Sequence, residues 1–367
     1  AAKLPPNKNM RQSIQYIRRQ DQNFPALPNN LEDLVLPDEF KQTLEGEEFL
    51  KYDSGPGKLR ILIFATYENL QLLSQSTDWF GDGTFKTVPL IFQQLYTLHA
   101  LHNGYVIPVI FALLPNKTKA TYDHFFAALK TLGAFNPRTM MTDFEHGTIN
   151  AFSAAFPNCQ MRGCQFHLGQ AVWRHIQADR ELRDRYINEA DVALKARKLL
   201  ALSHLPVTDV IQTYEDLQEK EFYRQNERLL ENLLTYFEMN WIGVRGRRQG
   251  ERRNPGFPLP HWNCHDAVME GLPKTNNAVE GWHSRFANLV EAHHPTIWKF
   301  INCLKKEQSS VKLDIDRCNA GIPPAQSRRK YRECAEGIRA ATEKYDRGEK
   351  GVDEYLNEIA HNIEMNV

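Results

Sequence analysis

Three acidic residues stand in segments able to bring them together. Asp82 lies in the strand-like run Trp79-Phe-Gly-Asp-Gly-Thr-Phe85, Asp143 follows an apolar run in Met140-Met-Thr-Asp-Phe-Glu145, and Glu280 sits one turn into a helix in Thr275-Asn-Asn-Ala-Val-Glu-Gly-Trp-His283. Carboxylate oxygens are the hard ligands that Mg²⁺ and Mn²⁺ prefer. Two such cations about 3.5–4 Å apart can activate an attacking oxygen and stabilise a leaving one in phosphodiester transfer. Neighbouring strands lie about 4.8 Å apart, so acids from two strands and a nearby helix can share the pair. Each acid also has a local use. Asp82-Gly83 suits a hairpin turn, and Thr142 with Glu145, like Asn277 with Glu280, fits a capping box.

A second set has zinc spacing. Cys164-Gln-Phe-His167 and His261-Trp-Asn-Cys-His265 offer two ligand pairs, as a tetrahedral site requires. The expected ligands are Cys164, His167, Cys264 and either His261 or His265. The other reading makes Cys164 a small buried hydrophobe, His167 a helix-start residue and the later group a surface loop. Arg245, Arg247, Arg248, Arg252 and Arg253 crowd one segment with Gly and Gln between them. Such a loop has no expected core role, and arginine suits bidentate contact with DNA phosphates. His283, three residues after Glu280 and on the same helical face, is a candidate contact to the scissile phosphate or a packed core histidine.

These residues need a scaffold. Strand patterns at Trp79–Phe85, Gln94–Leu101 and Tyr105–Leu114, with His102-Asn-Gly104 as a turn, predict an antiparallel meander. The pattern then alternates: helix at Thr121–Leu132, strand at Thr139–Thr142, helix at Glu145–Ala155, strand-like run at Cys159–Cys164, helix at His167–Gln177. Hairpins followed by alternation imply a mixed sheet with helices on its faces. Residues 180 to about 240 read as consecutive helices, one of them spanning Glu221–Met239. The expected organisation is an N-terminal subdomain and linker at 1–58, a first part of the core at 59–179, a helical insertion with the basic loop at 180–260, a second part of the core with Glu280 at 261–310, and a helical tail at 311–367.

Composition limits the class of protein. The chain has 367 residues, 42% hydrophobic and 25% charged, as in soluble globular proteins. Lys plus Arg equals Asp plus Glu at 45 each, so attraction to nucleic acid must come from local patches. No run is apolar and long enough to span a bilayer, and AAKLPPNKNMRQ lacks the apolar core of a signal peptide, so an intracellular protein with no membrane partner is expected. Six cysteines, at 159, 164, 264, 303, 318 and 334, are too sparse for a disulfide framework.

Taken together, the DGTF of 82–85, the apolar meander, the TDFE of 142–145, the Cys164-x-x-His167 pair and the NNxxEGWH of 276–283 resemble Mutator-like element transposases of the type often associated with FLYWCH zinc fingers. The resemblance runs from about residue 60 to about 305. It implies a ribonuclease H-like α/β fold interrupted by an all-helical insertion, with Asp82, Asp143 and Glu280 as an Asp, Asp, Glu active site for two Mg²⁺ or Mn²⁺ ions. It also implies cut-and-paste transposition: water cleaves at the element's end, and the freed 3′-hydroxyl attacks target DNA. The implied partners are transposon-end and target DNA, with the enzyme a homodimer on DNA in the nucleus. The chain departs from the family in showing no FLYWCH-type Cys and His array before the core, so recognition of element ends is expected from another segment. Two other readings share these motifs: a domesticated DNA-binding or chromatin factor without catalysis, and a ribonuclease H-like nuclease without strand transfer.

Overall fold

The computed structural model describes residues 24–248, 251–326, 328–363 and Met365; the first part of the expected N-terminal subdomain, residues 1–23, lies outside them. Among the described residues, seven strands form one mixed sheet: β1 (Leu50–Asp53), β2 (Leu62–Phe64), β3 (Asp78–Thr84), β4 (Gln94–His102), β5 (Tyr105–Leu114), β6 (Thr139–Thr142) and β7 (Gln160–Gly163), in the order β1-β2-β5-β4-β3-β6-β7. The meander β3-β4-β5 forms as the alternation predicts. Asn103 and Gly104 turn the β4–β5 hairpin with φ of 48° and 81°, the left-handed pair that an Asn-Gly turn supplies. Beyond β3 the sheet becomes parallel, because helical crossovers return the chain to β6 and then β7.

Three helices intervene: α1 (Tyr67–Gln75), α2 (Lys119–Thr131) and α3 (His146–Ala155). The Thr66 and Thr118 hydroxyls cap α1 and α2 by accepting from Asn69 N and Thr121 N. One sheet face packs against α2 and α3, with Trp79 edge-on to Phe152 and Phe156, and Tyr96 against Tyr122 and Phe125. The chain then leaves the sheet through α4 (Gln165–Ala178), α5 (Arg180–Asn188), α6 (Ala190–Ala201), α7 (Val207–Gln218), α8 (Glu221–Gln225) and α9 (Glu227–Phe237). A π-helical turn follows at Glu238–Ile242, then short α10 (Leu259–Trp262) and α11 (His265–Met269). Two long helices, α12 (Asn277–Val290) and α13 (Ile297–Asn319), return to the second sheet face, where Trp282 packs on Phe111.

Three boundaries differ from those expected. The sheet starts before residue 59, because the buried Arg60 guanidinium pairs with Asp53 at 2.6 Å and donates to the carbonyls of Leu31 and Leu34. That ties β1 and the segment ahead of it to the sheet core, which also buries Leu31, Leu34, Leu36 and Phe40. The C-terminal helices α14 (Arg329–Asp346) and α15 (Val352–Asn362) are no free tail: Leu356 and Ile359 join the helical lobe's core, and Tyr355 Oη donates to His204 O at 2.8 Å. The helix expected over Glu221–Met239 breaks at Asn226, whose backbone leaves helical geometry (φ −112°, ψ 22°) while its side chain accepts from Arg185 and donates to Phe222 O.

Candidate active site

The acids meet at one end of the sheet. β3 and β6 run parallel with Phe80 opposite Met141, so continuing that register by two residues sets Asp82 beside Asp143. Beneath them Phe80 and Met141, each two residues before its acid and so on the same face, pack with Cys164 and with Val279, the residue before Glu280. This small buried plug joins β3, β6, the start of α4 and α12. Helix α12 is fixed from behind by Glu307, buried on α13, which accepts from Trp282 Nε1 at 2.7 Å and from Arg285 at 2.6 Å.

Two imidazoles lie among the carboxylates. His167 Nδ1 is 2.7 Å from Asp143 Oδ1, and its Nε2 is 3.6 Å from Glu280 Oε1. His283 Nε2 is 3.3 Å from Asp82 Oδ2. Neither His167 Nδ1 nor His283 Nε2 completes a hydrogen bond among the described residues. Burial opposes a charge on His167, but Asp143 and then Cys164 outweigh it and push the imidazole up to about 10. Burial raises the Glu280 carboxyl above its ordinary range; His167 opposes the shift, and the like charges of Asp82 and Asp143 add to it. Among the described residues, no group of three Asp, Glu, His or Cys side chains closes round one point as a bound metal requires.

The sequence puts the start of the Glu280 helix near Asn276 or Asn277 without choosing between them. The structure makes Asn276 the N-cap of α12 and gives its amide other work. Its Nδ2 donates to Asp143 Oδ1 at 3.2 Å, while its Oδ1 accepts from the Cys164 thiol at 3.0 Å and its backbone N–H donates to that sulfur at 3.3 Å. One buried side chain thus joins the ends of β6 and β7 to the helix bearing Glu280. Neither local capping alternative is seen: the N-caps of α3 and α12 show no side-chain cap hydrogen bond.

The candidate zinc ligands are dispersed over different partners. Cys164 is bonded to Asn276 and His167 turns to the acids. Cys264 is buried against Ser203, and His265 lies between Asp266 and Asp346. His261 is partly buried, with Nδ1 unpartnered among the described residues. The five arginines also divide. Their loop is a small hairpin closed by an Arg245–Arg252 bridge, and Arg252 does have a packing role, its guanidinium held by Glu215, by Glu238 at 2.9 Å and by the Gly243 carbonyl. Arg245 shares Glu215 at 3.1 Å. Arg247, Arg248 and Arg253 are exposed, with no carboxylate in ion-pair range among the described residues. Next to this hairpin, Phe257 stacks on His146 and packs on Phe144, the residue after Asp143.

Residues 79–171 match the family model of the MULE transposase domain, a stretch that holds Asp82, Asp143 and His167 and ends before Glu280. No curated protein matches the chain. Among solved structures it is similar to the Drosophila P element transposase strand transfer complex, at 12% identity over 66% of this chain and 80% of that one, with a TM-score of 0.34.

Proposed function

We propose that this chain is a DNA transposase of the Mutator-like type, with a ribonuclease H-like core in which Asp82, Asp143 and Glu280 form an Asp, Asp, Glu site for cleavage at transposon ends and strand transfer. The observation that supports the reading is the parallel β3–β6 pairing, which ends at Phe80 opposite Met141, each two residues before its aspartate, together with the charge that Asp82 and Asp143 exert on Glu280. The family match over 79–171 supports the transposase reading.

The donor set is compatible with hard divalent cations. All three acids offer oxygen, and their mutual repulsion is of the kind that positive charge relieves. Bound there, two Mg²⁺ or Mn²⁺ ions would supply the charge that activates the attacking oxygen and stabilises the leaving one. The chain itself holds the acids in position: Asn276 keeps Asp143 turned toward α12, and the Gly83 N–H donates to Asp82 Oδ1 at 2.7 Å. His167 offsets carboxylate charge, and both His167 and His283 stand where they would compete with cations for the same oxygens. The exposed Arg247, Arg248 and Arg253 suit DNA phosphates, whereas Arg245 and Arg252 shape the hairpin that presents them.

The test is incubation of the purified protein with labelled DNA carrying the element's terminal repeats and with Mn²⁺. Cleavage followed by joining to a target plasmid is the expected result. Cleavage without joining would reduce the protein to a nuclease. If neither occurs under conditions where the protein binds the DNA, the catalytic reading fails.

A further inference from the structure

Arg60 and Arg162 are both more than nine-tenths buried, yet they are neutralised differently. Arg60 has the Asp53 carboxylate at 2.6 Å. Arg162 has only a carbonyl: its Nη2 donates to Pro273 O at 3.0 Å, and among the described residues its other N–H groups meet no acceptor and no carboxylate stands in ion-pair range. A guanidinium keeps its charge at any ordinary pH, so burying one without a counter-charge is costly. Burial holds the Arg162 guanidinium below its ordinary range, and the nearby Asp78 and Glu270 do not reverse the shift.

The surroundings of this charge form a cleft. Thr139 at the start of β6 stands opposite Gln160 on β7, and Met141 stands opposite Arg162. Residues two apart on a strand share a face, so Gln160 and Arg162 lie on the side of the sheet that carries Asp143, which is four residues and about 13 Å beyond Thr139. There they line a cleft of about 250 Å³ whose other wall is built from α10, α11 and the chain just after it. The remaining charges of the cleft are already engaged. Arg138 donates to Asp78 at 2.8 Å and to Glu270 at 2.9 Å, and Asp266 has His265 Nδ1 at 3.0 Å. The exposed Gln160 amide has no partner among the described residues, and Asp266 and Glu270 each keep one oxygen without a donor there.

We propose that this cleft binds a small free phosphate, with Arg162 and the Gln160 amide donating to its charged oxygens and with Asp266 and Glu270 accepting from its P–OH. Inorganic phosphate carries both kinds of group near neutral pH. A plain carboxylate and the phosphodiester of DNA carry the charge but have no proton to give the two acids, which would repel them. The site is separate from the three acids and does not depend on their chemistry.

The experiment is thermal melting of the whole purified chain at neutral pH in EDTA, with inorganic phosphate up to about 10 mM and the ionic strength held constant with NaCl, for wild type, Arg162→Gln, Gln160→Glu and Arg247→Ala. Phosphate also stabilises proteins by exclusion from their surface, an effect common to all four. Wild type and Arg247→Ala are expected to gain about 2 °C or more, and Arg162→Gln and Gln160→Glu about fourfold less. Acetate in place of phosphate is expected to give wild type no such gain. Arg162→Gln keeps a donor for Pro273 O; if it nevertheless melts early, Gln160→Glu decides alone, because that residue is exposed and its new carboxylate takes the anion's place beside Arg162. An equal gain in all four proteins, or none in wild type, would overturn the proposal. So would an acetate gain equal to that of phosphate, which makes the ligand a carboxylate. In a parallel arm, fluorescence anisotropy with a short duplex should show Arg162→Gln binding as wild type does. Weaker duplex binding by that variant, with no phosphate gain in wild type, would assign Arg162 to the DNA backbone and end the free-phosphate reading.

Discussion

The two lobes treat charge in opposite ways. In the helical lobe, carboxylates and cations are matched locally: Arg252 sits between Glu215 and Glu238, and Lys220 meets Asp353 across the lobe. At the sheet end, Asp82, Asp143 and Glu280 have only imidazoles in ion-pair range among the described residues, and Glu280 is held against two like charges. Folding alone favours the first arrangement, because repulsion and desolvation both disfavour the second. Unbalanced negative charge kept on a sheet end by a buried plug and a dedicated asparagine is the arrangement expected where the missing positive charge arrives with cations.

The strongest way to break this comparison is through activity. Asp82→Asn, Asp143→Asn or Glu280→Gln removes a proposed ligand, and each is expected to lower Mn²⁺-dependent cleavage by on the order of 10³-fold or more, with unchanged circular dichroism. A fully active variant would remove its acid from the site. Stability should respond in the opposite sense in the two lobes. Arg252→Ala leaves Glu238 without a cation and Glu215 with Arg245 alone, and should reduce the unfolding free energy by about 2 kcal/mol, less than for a fully buried pair because both acids keep some solvent. Glu280→Gln removes a charge disfavoured by its neighbours and should raise metal-free stability, by at most about 1 kcal/mol after allowance for its exposure. Urea unfolding in EDTA measures both, and two changes of the same sign would contradict the contrast.

The arginine hairpin sharpens the point within one element. Arg247, Arg248 and Arg253 are exposed while Arg245 and Arg252 are committed to Glu215 and Glu238. Replacing the three exposed arginines by Ala should leave urea stability within about 0.5 kcal/mol. It should weaken DNA binding and reduce the slope of log affinity against log salt by about 0.9 for each phosphate that the protein no longer neutralises. An unaltered slope would show that the hairpin does not touch the backbone.

How much of this the sequence reveals follows from what each signal depends on. The meander and the positions of Asp82 and Asp143 were legible because strand alternation and an Asn-Gly turn are local properties. The expectation that Arg252 has no packing role failed because its acceptors lie on α7 and the π-helical turn, remote in sequence. The capping boxes at Glu145 and Glu280 failed for a related reason: a side chain that fits a local motif is free to take a tertiary partner, as Glu145 does with Tyr122. A helix start near Asn276 or Asn277 was legible, but only the fold tells which of two adjacent asparagines faces Asp143 and Cys164. The short edge strand β1, exposed at its last residue, carries little pattern to read.

The smallest expected effect asks whether the lobes, so different in their carboxylates, share a device inside. Each buries a neutral histidine completely: His99 under Trp282 and His283 in the sheet lobe, and His204 beside Ser203 and Gln165 in the helical lobe. Burial holds both well below the ordinary imidazole range, with His283 and Arg285 adding to the shift at His99, and Lys274 and His265 at His204. The unfolded chain therefore binds a proton that the native one refuses, at any pH below about 6.5 and above the native value. Stability contributed by the neutral form is complete above that window and falls as the pH drops through it, by about 1.4 kcal/mol per histidine at pH 5.5. His204→Asn and His99→Gln should each flatten the fall in stability between pH 6.5 and 5.5 by about one proton's worth. Equal flattening would mean that neutral burial is common to both cores and that the contrast is confined to the carboxylates. Flattening by one variant alone would place the acid sensitivity in that lobe.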